Sequence, residues 1–211
     1  MNLLASFVST LIVGIAHLVT AVRGNWKGTA RFSQQRVYYA NHASHGDFVL
    51  IWTVLPPHIR RQTRPVAGAD YWLKTRLKTF IGREVFNAVL IDRNPENRDS
   101  DPVSLMADAL DDGDSLILFP EGTRNTTEEK LLPFKSGLYH LASKRPDIEL
   151  VPAWIDNLNR VMPKGALVPI PIACSVTFGE PIQLNANETK ETFLSRAERA
   201  LLMAGGEYNE Q

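Results

Sequence analysis

The chain opens on an unbroken apolar run. MNLLASFVSTLIVGIAHLVTAV, residues 1 to 22, holds no Asp, Glu, Lys or Arg. A helix of that length, rising about 1.5 Å per residue, nearly crosses a hydrocarbon core about 30 Å thick. A secretory signal would place basic residues ahead of the apolar run. None stand there, so the pattern predicts a retained membrane-associated helix over residues 1–24. Gly14 and His17 interrupt its apolar surface, which leaves spanning and re-entrant or interfacial placements both open. Arg23, Lys27, Arg31 and Arg36 follow it. That excess of positive charge predicts that the remainder, residues 25–211, lies on the cytoplasmic side, at the inner membrane in a bacterium.

Beyond residue 35 the pattern alternates. RVYYANH reads as a strand ending in a polar turn, and DFVLIWTVLPPH as a helix stopped by Pro56 and Pro57. RPVAGADY supplies a short strand, followed by a helix in which Leu73, Leu77, Phe80 and Ile81 recur at helical spacing. NAVLIDR is a short buried strand. Asp101 and Pro102 set an N-cap and a first-turn proline for a helix that Gly113 ends. SLILFPEGTR is an apolar strand breaking at Pro120 into a glycine loop, and FKSGLYHLASK a helix ending before Pro146. IELVPAWI and PIACSVTF give two more strands, and ETFLSRAERALLMA a last helix before Gly205 and Gly206. The order predicts an α/β fold with a mixed, mostly parallel sheet flanked by helices and polar motifs gathered at strand ends.

Composition narrows the partners. The 211 residues carry 23 Lys plus Arg against 23 Asp plus Glu, so no global charge points to nucleic acid. The basic surface is local. Arg60, Arg61, Arg64, Lys74, Arg76, Lys78 and Arg83 stand against Asp70 and Glu84, with Tyr71 and Trp72 among them. This reads either as a core helix with a solvated face or as a surface for anionic lipid head groups or an acidic acyl carrier. Cys174 is the single cysteine, which excludes an intramolecular disulfide and fits a reducing compartment.

Three polar residues crowd the turn after the first strand: His42, His45 and Asp47, in YYANHASHGDFVL. A metal site needs three or four convergent ligands. The remaining histidines, His17, His58 and His140, stand in an apolar run, after a double proline and in a helix, so no metal is expected. Proton transfer asks for less. His42 at the strand end can face a crevice while Asp47, about one helical turn on, accepts from its ring nitrogen, fixes the tautomer and stabilises the imidazolium. That makes His42 a candidate general base toward a hydroxyl. Later in the chain, FPEGTR delivers Glu121 and Arg124 on a loop where Gly122 lets backbone approach a ligand and Arg124 offers a planar fork to phosphate or carboxylate.

With these motifs in order, the chain resembles the glycerolipid acyltransferases, the group that includes 1-acylglycerol-3-phosphate acyltransferase. Their NHxSxxD pattern is matched by Asn41, His42, Ser44 and Asp47, and their FPEGTR by Phe119 to Arg124. FKSG at 134 to 137 resembles their FKxG, and VPAWI at 151 to 155 their proline-containing apolar block. The resemblance implies that His42, polarised by Asp47, takes the proton of a lysolipid hydroxyl, and that the oxygen attacks the thioester of an acyl-CoA or an acyl carrier protein. It further implies that Glu121, Gly122, Thr123 and Arg124 form the acceptor site with Arg93 assisting on a phosphate, and that no metal or dissociable cofactor is needed. The expected product is phosphatidic acid, made from 1-acyl-glycerol-3-phosphate at a membrane. One departure stands out: NAVLIDR keeps Arg93 but has Asn87 where the family's second motif opens with glycine. That residue keeps a different lysolipid acceptor in view. From another class, a lipid-binding protein without turnover would leave His42 and Asp47 without a purpose. A lipase or thioesterase would want G-x-S-x-G, which the chain lacks.

Overall fold

The computed structural model describes residues 3–28, 35–44, 46–92, 94, 100–156 and 173–207. A seven-stranded sheet forms its centre: β1 (Arg23–Trp26), β2 (Arg36–Ala40), β3 (Thr63–Gly68), β4 (Val89–Ile91), β5 (Ser115–Leu118), β6 (Glu149–Asp156) and β7 (Ser175–Phe178), in the spatial order β1-β7-β6-β2-β5-β3-β4. Neighbouring strands are parallel except β6 and β7. The expected mixed, mostly parallel sheet is therefore present.

The central strands are apolar throughout because helices cover both faces. Alternation divides them cleanly. Tyr38, Ala40, Ile117, Val151 and Ala153 point to one face, Val37, Tyr39, Leu116, Leu118 and Leu150 to the other. The first face is covered by α1 (Leu3–Thr20) and α2 (Asp47–Val54), the second by α6 (Pro102–Asp111), α7 (Gly137–Lys144) and α8 (Lys190–Gly205). In α8, Phe193, Ala197, Leu201 and Ala204 recur on one buried stripe, and Gly206, at φ 71°, closes the helix in the left-handed region. Each large side chain so buried contributes about 1.5–3 kcal/mol.

Two local readings need correction. The helix expected through Leu73, Leu77, Phe80 and Ile81 is broken into α4 (Ala69–Trp72), α5 (Arg76–Phe80) and a π-helical turn over Ile81–Val85. Thr75 causes the break: its extended backbone starts a new helix, and its hydroxyl caps the amide of Lys78. Pro57 likewise begins α3 (Pro57–Arg60) instead of merely ending α2, since a proline fits a first helical turn.

Helix α1 does not stand apart from the rest. Ala5, Val8, Ile12, Ala16 and Val19 pack on the core, while Leu4, Phe7, Leu11, Ile15 and Leu18 face outward. Its 18 residues are long and apolar enough to cross a membrane. The boundary expected after residue 24 falls inside β1, which pairs with β7 at the sheet edge, so helix and sheet share one core.

Candidate active site

The carboxyl ends of β2 and β5, adjacent in the sheet, set the site, as crevices at such strand ends do in open α/β folds. Each end runs into a polar loop: Asn41 to Gly46 after β2, Phe119 to Asn125 after β5. Asn41 anchors the first loop to β6. Its side chain accepts from the amide of Ile155 at 2.8 Å and donates to the same residue's carbonyl at 3.0 Å.

His42 and Asp47 meet as expected. Nδ1 of His42 lies 2.8 Å from Oδ2 of Asp47, and the same oxygen accepts the amides of Ala43 at 2.7 Å and Ser44 at 2.8 Å. Asp47 is 1% exposed. Three donors on one buried oxygen fix its position, and an ionised carboxylate can only accept, so the shared hydrogen belongs to Nδ1 of His42. Nε2 is left with its lone pair. The imidazole is also stacked on Phe119, centroids 4.2 Å apart and planes 20° apart, which fixes the ring's tilt. Oδ1 of Asp47 is buried without a hydrogen-bond partner among the described residues.

Glu121 turns inward. Oε1 accepts the amide of His42 at 2.8 Å and Oε2 the amide of Leu132 at 2.9 Å, with the residue 2% exposed. Burial pushes its carboxyl above the usual range, and the hydrogen bonds from Leu132 and His42 pull it back. Among the described residues, each carboxylate oxygen of Glu121 accepts one backbone amide. A further bond, from the amide of Asn125 to the carbonyl of His42 at 2.6 Å, ties the two loops together.

The other candidates are more scattered. Gly122 has a φ of 68°, a conformation that favours glycine. Thr123 and Arg124 are exposed, and the Arg124 guanidinium makes no hydrogen bond or ion pair among the described residues. Arg93 and His45 lie outside the described residues. Asn87 has a φ of 47°, so the position asks for a residue that tolerates the left-handed region, and asparagine is the usual alternative to glycine there. Its departure from the family pattern thus has a backbone reason.

His42 stands between two cavities. One, about 560 Å³, is mostly apolar, lined by Val66, Val103, Met106, Leu118 and Leu138 among others, with His42, Gly122 and Lys135 also in its lining. The second, about 390 Å³, is polar and acidic, lined by Glu121, Glu128, Glu129, Lys130 and Asp156. Lys135 carries no role in the sequence reading. Its only signal there is its place in FKSG, directly before α7.

Residues 22–156 match the Acyltransferase family. The chain belongs to that family. The Acyltransferase match takes in both loops, from β1 to the end of β6. The chain is 30% identical over 157 residues to a 1-acyl-sn-glycerol-3-phosphate acyltransferase of Cocos nucifera, covering 73% of this chain and 48% of that protein. A protein of the same name from Limnanthes douglasii is 27% identical over 183 residues, 86% of this chain and 60% of the relative. The chain thus spans about half the length of the curated relatives it matches. Among solved structures, the 1-acyl-sn-glycerophosphate (LPA) acyltransferase PlsC from Thermotoga maritima shares the fold, with a TM-score of 0.72 at 19% identity, covering 96% of this chain and 80% of that one.

Proposed function

We propose that this protein is an O-acyltransferase that moves a fatty acyl group from a thioester to the free hydroxyl of a lysophospholipid, converting 1-acyl-glycerol-3-phosphate to phosphatidic acid. The observation that carries it is the bond from Nδ1 of His42 to Asp47, which leaves Nε2 free to act as a base on a residue that lines a mostly apolar cavity. Nε2 takes the hydroxyl proton as the oxygen attacks the thioester carbonyl. The tetrahedral intermediate then collapses, the C–S bond breaks, and the departing thiolate takes the proton back from the imidazolium. Asp47 stabilises the charged ring between these steps. Both relatives named above as 1-acyl-sn-glycerol-3-phosphate acyltransferases support the acceptor. The donor, acyl-CoA or acyl carrier protein, is fixed by neither.

The membrane enters through α1. With its inner stripe on the core and Leu4, Phe7, Leu11, Ile15 and Leu18 outward, the helix suits a place in one leaflet, the outer stripe in lipid. Leu73 and Leu77 are also exposed, and Lys74, Arg76 and Arg83 on the same segment suit anionic head groups. The charges after α1 favour the cytoplasmic side.

The test is acyl transfer in vesicles, read by mass spectrometry, with lysophosphatidate and other lysolipids against both thioesters. A new diacyl lipid that falls about a thousandfold in His42→Ala supports the reading. Turnover persisting in that variant, or no product from any pair with folded, lipid-bound protein, would sink it.

A further inference from the structure

Lys135 is placed by a glycine earlier in the same connection between β5 and α7. A Cβ on Gly122 would stand 2.7 Å from Cδ of Lys135 and 2.9 Å from Cε and Nζ, so the lysine stem fills the space any side chain at 122 would take. The amide of Lys135 donates to the carbonyl of Pro120 at 2.8 Å, which holds the two ends of that connection together. Its ammonium makes no hydrogen bond or ion pair among the described residues. It lines the larger cavity together with His42.

Charge is unevenly shared between the two cavities. Lining the larger one, Asp101 is already engaged by the amide and hydroxyl of Ser104, each at 3.0 Å, and faces Lys144 at 3.7 Å, so it does not neutralise Lys135. The first residues of α7 lie on the same wall, and its N-cap, Ser136, makes no side-chain cap, which adds the positive end of a helix. In the smaller cavity Glu128, Glu129 and Asp156 share the lining with Lys130, which is itself paired with Glu207. A phosphate dianion is drawn to the first and repelled from the second. Arg124 lines neither.

We propose that Lys135, seated across Gly122, binds the phosphomonoester of the acceptor and so sets a preference for phosphorylated lysolipids. This rests on the acyl-transfer reading above. The glycine of the FPEGTR loop then has a task of its own: it leaves room for the lysine to cross.

A phosphodiester on the donor's pantetheine arm offers related chemistry, so the test separates the two. KM is measured for lysophosphatidate and for the donor independently, in the wild type, Lys135→Gln, Lys135→Arg, Gly122→Ala and Arg124→Gln. Binding of lysophosphatidate in detergent micelles is followed alongside by calorimetry. Lys135→Gln should raise the acceptor KM on the order of ten- to a hundredfold, the scale of a lost hydrogen bond to a charged group, and weaken micellar binding by a similar factor. Lys135→Arg should restore most of this, and Gly122→Ala should share the direction of Lys135→Gln because the added methyl displaces the lysine. The preference for lysophosphatidate over a monoacylglycerol should narrow by the same factor. An unchanged acceptor KM in Lys135→Gln overturns the proposal, as does a rise confined to the donor KM, or a loss found in Arg124→Gln alone. Wild-type protein that binds lysophosphatidate through Lys135 yet turns over no lysolipid would fail the acyl-transfer reading and leave the binding assignment standing.

Discussion

The loop after β2 and the segment from Leu73 to Glu84 treat polar groups in opposite ways. Around His42, the ring nitrogen Nδ1, the backbone amide and the carbonyl each have a protein partner within 2.8 Å. In the other region Lys74, Arg76 and Arg83 have none among the described residues, and Leu73 and Leu77 are 44% and 68% exposed. Proton transfer needs atoms fixed to fractions of an ångström, and on the proposed reading the buried bonds of the first region supply that positioning. A lipid surface is fluid and needs only charge and apolar area, which three unpaired cations and two exposed leucines would suit on the proposed reading. Chemistry and membrane attachment should therefore separate under mutation.

The strongest way to break the first region without touching the second is Asp47→Asn. The amide cannot stabilise an imidazolium, and it sets an NH2 or a weaker acceptor against the amides of Ala43 and Ser44. We expect turnover to fall about a hundred- to a thousandfold, with vesicle binding unchanged, measured by product formation and by flotation. Near-normal rates would remove Asp47 from the mechanism. The converse variant, Leu11→Ser with Leu18→Ser, alters residues that are 50% and 85% exposed. It should cut partitioning to vesicles by about a hundred- to ten-thousandfold, from about 1.5–3 kcal/mol for each leucine withdrawn from lipid, while thermal stability holds. Undiminished flotation would shift attachment to the basic segment.

Glu121→Gln sharpens the comparison more finely. One carboxylate oxygen becomes an NH2 facing a backbone amide of His42 or Leu132, at a cost of about 1–3 kcal/mol. We expect kcat to drop about tenfold as His42 loses its mooring, with the lysophosphatidate KM unmoved. A rise in that KM with kcat intact would instead make Glu121 an acceptor contact.

Much of the site was legible because its motifs sit at strand ends, and the strands announced themselves as apolar runs. The pairing of His42 with Asp47 could be read from one turn of local spacing. The direction of Glu121 could not, since its partner amide lies 79 residues away and only the adjacency of β2 and β5 brings them together. Lys135 escaped because the connection from β5 to α7 folds back on itself to bring it across Gly122, and no periodicity announces such a fold. The periodic Leu73 and Leu77 mimic a core face. Periodicity tells that a face is apolar, and says nothing about whether sheet or lipid covers it.

The smallest effect tests the one residue that departs from the family pattern. Asn87 holds a φ of 47° between the π-helical turn and β4, and its carbonyl accepts from Nε of Arg64 at 2.6 Å. Glycine there relieves backbone strain but loses more entropy on folding, and the two terms nearly offset, so Asn87→Gly should leave stability within about 0.5 kcal/mol. Asn87→Ala keeps the strain without asparagine's tolerance of it. It should cost about 1 kcal/mol, a fall of about 2–4 °C in Tm for a chain of this size. Neither change should alter which lysolipid is acylated, because the side chain is exposed and the position's demand is on φ. A shift in acceptor preference in Asn87→Gly, with Tm unmoved, would turn the residue from a backbone device into a determinant of the substrate and would tie the membrane-side segment to the chemistry after all.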